Sequence, residues 1–236
     1  MKRKLTTVTM IPIYLTVCIG FLLIAAICNR TVTTMAEAAP VENRLCIVID
    51  PGHGDPDGGA ISCTGVYESG INLEISKRLQ DLFRLLGYEV KLTRETDASI
   101  YTQGNTIGEK KASDLKERAR IVNAEERAIL LSIHQNHYSD GRYGGAQMFW
   151  ASTQGSQELA EALQDAFVTH LNPGSNRAAK RSQGIWLMEH LEHPGVLVEC
   201  GFLSNPAEEA KLRDGEYQKR ICCVIAATVS KTFANT

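Results

Sequence analysis

The chain is 236 residues long, 44% hydrophobic and 22% charged, with a formal net charge of −2 at neutral pH. That composition excludes a disordered tail and gives length for one well-buried domain plus a short appendage. Residues 1–38 carry four basic side chains and one acid, leaving 21 basic against 26 acidic beyond them, a mild acidity that argues against nucleic acid as a partner.

The appendage is N-terminal. Lys2-Arg3-Lys4 precedes an uncharged run from Ile11 to Cys28, and "MAEAAP" follows from Met35. This is the pattern of an export signal, with the basic end cytoplasmic and the rest of the chain outside. Eighteen apolar residues suffice to cross a bilayer, while Ala36-Glu37-Ala38 offers a small-x-small cleavage site, so a cleaved signal peptide and a membrane anchor both stay open. Ile27 is bulky where a lipid-attachment signal wants a small residue, which disfavours Cys28 as a lipid anchor. Residues 1–43 are thus expected to be signal or anchor plus linker, and residues 44–236 the folded domain.

Within that domain, Leu45 to Ile49 is a continuous apolar run, typical of a strand covered on both faces. Ile71, Ile75, Leu79, Leu82, Phe83 and Leu86 recur at helical spacing, with Gly87 as the stop, and "YEVKLTR" follows as a second strand, completing a β-α-β unit. Next come a helix over "DLKERARIVNAEER", a strand "AILLSIH", a strand "AQMFW", a helix from about Ser156 to His170, and strands near "IWLM" and "GVLVE". Asn205 and Pro206 mark a helix start, as N-cap and first-turn proline. The expected architecture is a single α/β domain, a mostly parallel twisted sheet with helices on both faces. Cys46, Cys63, Cys200, Cys222 and Cys223 have no CxxC spacing and no readable disulfide framework; Cys46 and Cys200 lie in apolar runs and read as small buried hydrophobes.

In open α/β sheets the functional crevice lies at the carboxyl ends of the strands. His53 follows the first strand between Gly52 and Gly54, His134 closes "AILLSIH", and Glu199 closes "GVLVE"; Glu68, just before the first helix, is near the same rim. Two histidines and a carboxylate with an open fourth position make a catalytic zinc site, and a further carboxylate can take a proton from water. There is no HExxH, so such ligands have to come from separate loops, and position alone leaves a metal site and two polar strand-end caps both open.

The motifs "IVIDPGHGDPDGGA", E-x-x-x-NL from Glu68 to Leu73, "VKLTR", "SIHQN" and "VLVECGFLSNP" occur in an order that resembles the zinc-dependent N-acetylmuramoyl-L-alanine amidases of the type 3 family, from about Leu45 to Phe233. The resemblance implies that His53, Glu68 and His134 bind one Zn2+, that Glu199 is the catalytic carboxylate, and that the substrate is peptidoglycan, cut between the lactyl group of N-acetylmuramic acid and L-alanine. "SIHQN", "GAQMFW" and "VECGFLSN" look most like the spore-cortex, germination-specific amidases, whose product feeds a muramic acid deacetylase on the way to muramic-δ-lactam. Some of those relatives depend on a lipoprotein. An extracytoplasmic place follows, either secreted or anchored to the outer face of the membrane, with the intermembrane space of the forespore as the cortex setting. The rivals are a general amidase of wall turnover, another zinc hydrolase of the wall acting as endopeptidase or deacetylase, and a non-catalytic wall-binding protein on the same fold.

Other features have plain alternatives. His137 stands where the family often has a small residue and reads as a substrate contact, an obstacle to metal loading, or an exposed loop residue. His190 and His193 precede Pro194 in what reads as a solvated loop, and Glu158 and Glu161 as the wet face of a helix. Asp50 or Asp57 is placed to orient the His53 imidazole, or simply to form a turn. Arg177 and Lys180 are either a solvated basic loop or contacts for a substrate carboxylate.

Overall fold

The computed structural model describes residues 45–233, so the expected signal or anchor and its linker, Cys28 included, lie outside the described residues. The six residues of β1 (Cys46–Pro51) are all buried, as a central parallel strand requires. After it come α1 (Glu68–Leu85), β2 (Glu89–Leu92), α2 (Ile107–Asn123), β3 (Ala128–Asn136), β4 (Gln147–Trp150), α3 (Ser156–His170), β5 (Lys180–Arg181), α4 (Trp186–Glu189), β6 (Gly195–Phe202), α5 (Pro206–Leu212) and α6 (Gly215–Thr232). The six strands form one sheet in the order β2-β1-β3-β6-β4-β5, parallel throughout except where β4 runs antiparallel to β6.

Side chains alternate across the strands, so each strand feeds two cores. Ile47, Ile49, Ile129, Leu131, Ile133 and Val198 pack beneath α1, α3 and α6, where Ile75, Leu79, Phe83, Leu163, Phe167 and Ile225 are fully buried. Burial of each such side chain contributes about 1.5–3 kcal/mol. Val48, Leu130 and Leu197 point the other way and meet Ala119 and Val122 of α2 together with Leu187 and Met188 of α4. The expected sheet with helices on both faces is therefore present.

Three local expectations change. The segment "IWLM" is one helical turn, α4, rather than a strand. The sheet already ends at β5, and the turn carries Leu187, Met188 and Leu191 together into the second core, which an extended chain, alternating its side chains, does not do. The two-residue β5 occupies part of the expected basic loop. Helix α2 starts earlier than its apolar pattern, because Thr106 and Glu109 form a capping box, and it ends at Asn123, leaving residues 124–127 to reach β3. Helices α3 and α5 match expectation, and the Asn205 side chain accepts from Ala207 N and Glu208 N as the N-cap. Cys46, Cys200 and Cys222 are buried and Cys63 and Cys223 exposed, all five as free thiols. Among the described residues no helix is long and apolar enough to cross a membrane.

Candidate functional site

The carboxyl edge of the sheet gathers the polar groups. His134 and Glu199 are register partners on β3 and β6, and Glu68 enters as the first residue of α1, where the helix dipole favours a negative charge. Burial opposes the ionised Glu68 carboxylate, but the two histidines outweigh it and hold the carboxyl well below the usual range. Its Oε1 lies 3.0 Å from His134 Nδ1 and its Oε2 3.3 Å from His53 Nε2. The same oxygens accept from Gln135 N, Asn72 Nδ2 and Ala60 N at 3.0, 3.1 and 3.0 Å, so the carboxylate is fixed from both sides. The two imidazoles meet edge to face with centroids 4.9 Å apart.

Both glycines that matter here are set by close approach. A Cβ on Gly52 would stand 2.2 Å from His134 Cε1, and one on Gly59, which has φ +72, would stand 2.6 Å from Glu68 Oε2. His53 itself adopts φ 63, a left-handed conformation that costs a side-chain-bearing residue about 1–3 kcal/mol. Two buried arginines hold it there. Arg118 donates to Pro51 O and His53 O at 2.8 and 2.7 Å, and Arg94 donates to Pro51 O and Gly52 O at 2.9 Å each. Arg118 in turn is paired with Asp50 and, at 2.6 Å, with Asp114. Asp50 also accepts from Thr93 Oγ1 and Ser132 Oγ at 2.6 and 2.7 Å. Burial alone would raise the Asp50 carboxyl, but Arg118 and these hydroxyls hold it down at about 2.

Asp57, rather than Asp50, orients the imidazole: its Oδ2 is 3.0 Å from His53 Nδ1 and 2.9 Å from Lys111 Nζ. Burial works against a charge on His53, but the hydrogen bonds to Asp57 and Glu68 prevail and lift its pKa to about 9. Glu199 differs from every other acid here. Burial pushes its carboxyl up to about 7 against the pull of His134, and its Oε2 is closed off from solvent with no hydrogen-bond partner. A cleft of about 270 Å³ opens on His53 and His134, walled by Leu115, Ile185, Trp186 and Leu187.

His53, Glu68 and His134 offer ligand atoms that all lie within 4.8 Å of one another. Two nitrogen donors and a carboxylate, with a partnerless carboxylate oxygen close by, suit a divalent cation such as zinc, whose binding would need His53 as a neutral donor. Cys46, Glu89 and Glu125 are also close together, but Lys91 Nζ sits 2.6 Å from Glu125, and burial pushes the Cys46 thiol up to about 12, so this cluster keeps its proton and its own cation.

The remaining candidates fall outside the group. His137 is exposed, just past β3. His190 stacks on Trp186 at 3.8 Å, and His193 Nε2 lies 2.8 Å from Glu125 O. Glu158 and Glu161 are exposed on α3. Arg177 is no solvated loop residue: it is half-buried, with its guanidinium 4.8 Å above the Phe202 ring. The sequence carries no sign of the part played by Arg94, Asp114 and Arg118. Arg94 closes "VKLTR", and Asp114 and Arg118 stand four apart on one helix, yet neither spacing tells a buried scaffold from a surface ion pair.

A two-sided α/β sheet whose carboxyl edge brings a His/Glu/His donor group beside a buried carboxylate has the layout of the metal-assisted hydrolases. The profile of the N-acetylmuramoyl-L-alanine amidases matches residues 47–231, and the chain belongs to that family, which is zinc-dependent in general and acts on peptidoglycan. The chain is 35% identical over 196 residues to the germination-specific N-acetylmuramoyl-L-alanine amidase of Bacillus subtilis (strain 168), covering 82% of this chain and 81% of that one. Among solved structures, the CwlD amidase of Clostridioides difficile, determined in complex with the GerS lipoprotein, superposes with a TM-score of 0.78 at 34% identity, covering 82% of this chain and 100% of that one. An N-acetylmuramoyl-L-alanine amidase from Clostridium difficile 630 superposes with a TM-score of 0.70 at 29% identity, over 82% and 99% of the two chains.

Proposed function

We propose that this amidase works with one zinc ion held by His53, Glu68 and His134, and that Glu199 is its catalytic carboxylate. What supports this above all is the convergence of those three donors beside a buried Glu199 oxygen that has no protein partner. Zinc at that place supplies a Lewis acid able to polarise the scissile carbonyl and to lower the pKa of water from 15.7 to about 7. Glu199 takes a proton from the attacking water and delivers it to the L-alanine nitrogen as the C–N bond breaks, so that water and amide become a lactyl carboxylic acid and a free amine. A carboxyl lifted towards neutrality by burial is suited to both transfers. Asp57 keeps the His53 ring turned with Nε2 towards Glu68, and Arg118 and Arg94 keep the loop that carries it in place.

The likeness to a germination-specific amidase and to CwlD supports a role in the spore cortex, where the product feeds a muramic acid deacetylase and muramic-δ-lactam forms. By the same likeness a lipoprotein docks on this chain. Residues 1–43 export it as signal peptide or anchor, and residues 44–236 act outside the cytoplasmic membrane, in the intermembrane space of the forespore. Digestion of purified cortex peptidoglycan with and without added zinc, followed by mass spectrometry, tests the bond and the metal together. New amino groups on L-alanine that require zinc are expected; new amines on the sugar, or inside the stem peptide alone, overturn the assignment.

A further inference from the structure

A second depression, of about 960 Å³, lies one strand beyond the site, with Arg142, Gln147, Arg177, Lys180, Glu208 and Lys211 among its walls. Its charge is one-sided. Arg142 is paired with Asp140, but Arg177, Lys180 and Lys211 have no acidic partner among the described residues. Glu208, the acid in the wall, is committed to the backbone: Oε1 accepts from Gly145 N at 2.6 Å and Oε2 from Phe202 N at 2.8 Å. Arg177 is held in a set orientation. Its Nε donates to Gly144 O at 2.9 Å and its Nη1 to Gln147 Oε1 at 3.3 Å, while its guanidinium lies over Phe202. That leaves Nη2 free for a ligand.

The depression is linked to the reaction centre through one wall residue, Gln147 of β4. Gln147 is the antiparallel register partner of Glu199, so the two side chains share a sheet face, as Glu199 and His134 do. Adjacent strands are about 4.8 Å apart, and an extended peptide advances about 3.3 Å per residue, so a chain cut at Glu199 reaches Arg177 within roughly two or three residues. From the bond assigned above, on which this step rests, the group leaving Glu199 is a peptide that begins with L-alanine and carries carboxylates further along. We infer that the depression around Arg177, Lys180 and Lys211 is the subsite for the anionic arm of the stem peptide, with Arg177 as its positioning contact for a carboxylate.

The test compares peptidoglycan whose stem carboxylates are free with the same material after conversion of those carboxylates to amides. Wild-type enzyme loaded with zinc is expected to show a KM about tenfold higher on the amidated polymer with kcat little changed, because a charge-assisted hydrogen bond is lost. Arg177→Gln, and separately Lys180→Gln with Lys211→Gln on the exposed rim, are expected to show that raised KM on both polymers alike. On the free-acid polymer the wild-type KM rises with salt, and that of the variants does not. Equal KM values of the wild type on the two polymers overturn the subsite while leaving the bond assignment standing. A loss of kcat by the variants on both polymers makes Arg177 and the lysines merely structural. Absence of cleavage of either polymer by the wild type overturns the bond assignment itself.

Discussion

His134 and Glu199 stand opposite each other on neighbouring parallel strands, and the carboxylate of the second ends in an oxygen that no protein group satisfies. A buried acceptor without a partner costs about 1–3 kcal/mol, so its persistence points to use rather than to packing. Glu199→Gln keeps the shape and removes the ability to take a proton. Zinc content is expected to stay near one per chain, by elemental analysis, while turnover of peptidoglycan falls by about 10²-fold or more. Turnover equal to wild type removes Glu199 from the chemistry.

The neighbouring acid predicts the opposite pattern. Glu68 faces both imidazoles with its two oxygens, so Glu68→Ala leaves two nitrogen donors and an opened space. Zinc binding and activity are expected to fall together, and high zinc restores little, because three protein ligands are the usual minimum for a catalytic site. Zinc retained by Glu68→Ala but lost from Glu199→Gln would mean that the two roles are exchanged.

How far the sequence led depends on which force placed each group. Helical periodicity and continuous apolar strand runs carried the sheet and the place of its crevice, since a strand that feeds two cores must be apolar on both faces, and the strand ends of β1, β3 and β6 then brought His53, His134 and Glu199 to one edge. Short-range patterns failed where tertiary packing decides. Ile185 to Met188 has strand composition, yet it is a helical turn over the second core. Asp114 and Arg118 have the spacing of any i, i+4 pair, which carries no sign of burial, and only the fold shows them packed against Asp50 under the His53 loop. The choice between Asp50 and Asp57 as imidazole partner was also beyond the sequence, because it turns on which way a glycine-rich loop closes.

The Asp50–Arg118 pair makes acid stability predictable. The folded-state carboxyl sits at about 2, below its ordinary 3.8, so this group's stabilisation is fully present above about pH 4 and is lost as the pH falls towards 2. It amounts to about 2 kcal/mol. Glu68 and Asp57 are held low as well and act with the same sign, so the wild-type curve sums several groups. Chemical denaturation at pH 6, 4 and 3 is expected to show Asp50→Asn destabilised by about 2–3 kcal/mol at pH 6, since buried Arg118 keeps Asp114 but loses one of its two carboxylate partners, with the gap to wild type narrowing at pH 3. A constant gap across that range excludes Asp50 as a titrating contributor.

Asp57 separates holding a ligand from doing chemistry. It touches His53 at Nδ1, on the far side of the ring from the nitrogen that faces Glu68, and it is itself steadied by Lys111. Removing such an outer partner typically costs 10–100-fold in metal affinity, because the ring loses both its orientation and part of its basicity. Asp57→Ala is therefore expected to weaken zinc binding by about that factor in a competition titration with a chromophoric chelator. At saturating zinc its turnover recovers most of the wild-type value, since Glu199 and the apolar wall of the cleft at Leu115, Ile185, Trp186 and Leu187 are untouched. Asp57→Asn is the informative companion: the amide keeps a hydrogen bond but not the charge, so it should fall between the two if charge and orientation both count. Lys111→Met, one step further out, is expected to have a smaller effect of the same kind on zinc affinity, because it reaches His53 through Asp57 from a half-exposed position. Unchanged zinc affinity in Asp57→Ala, with a turnover loss that excess zinc does not repair, would place Asp57 in contact with the reacting groups instead of behind His53.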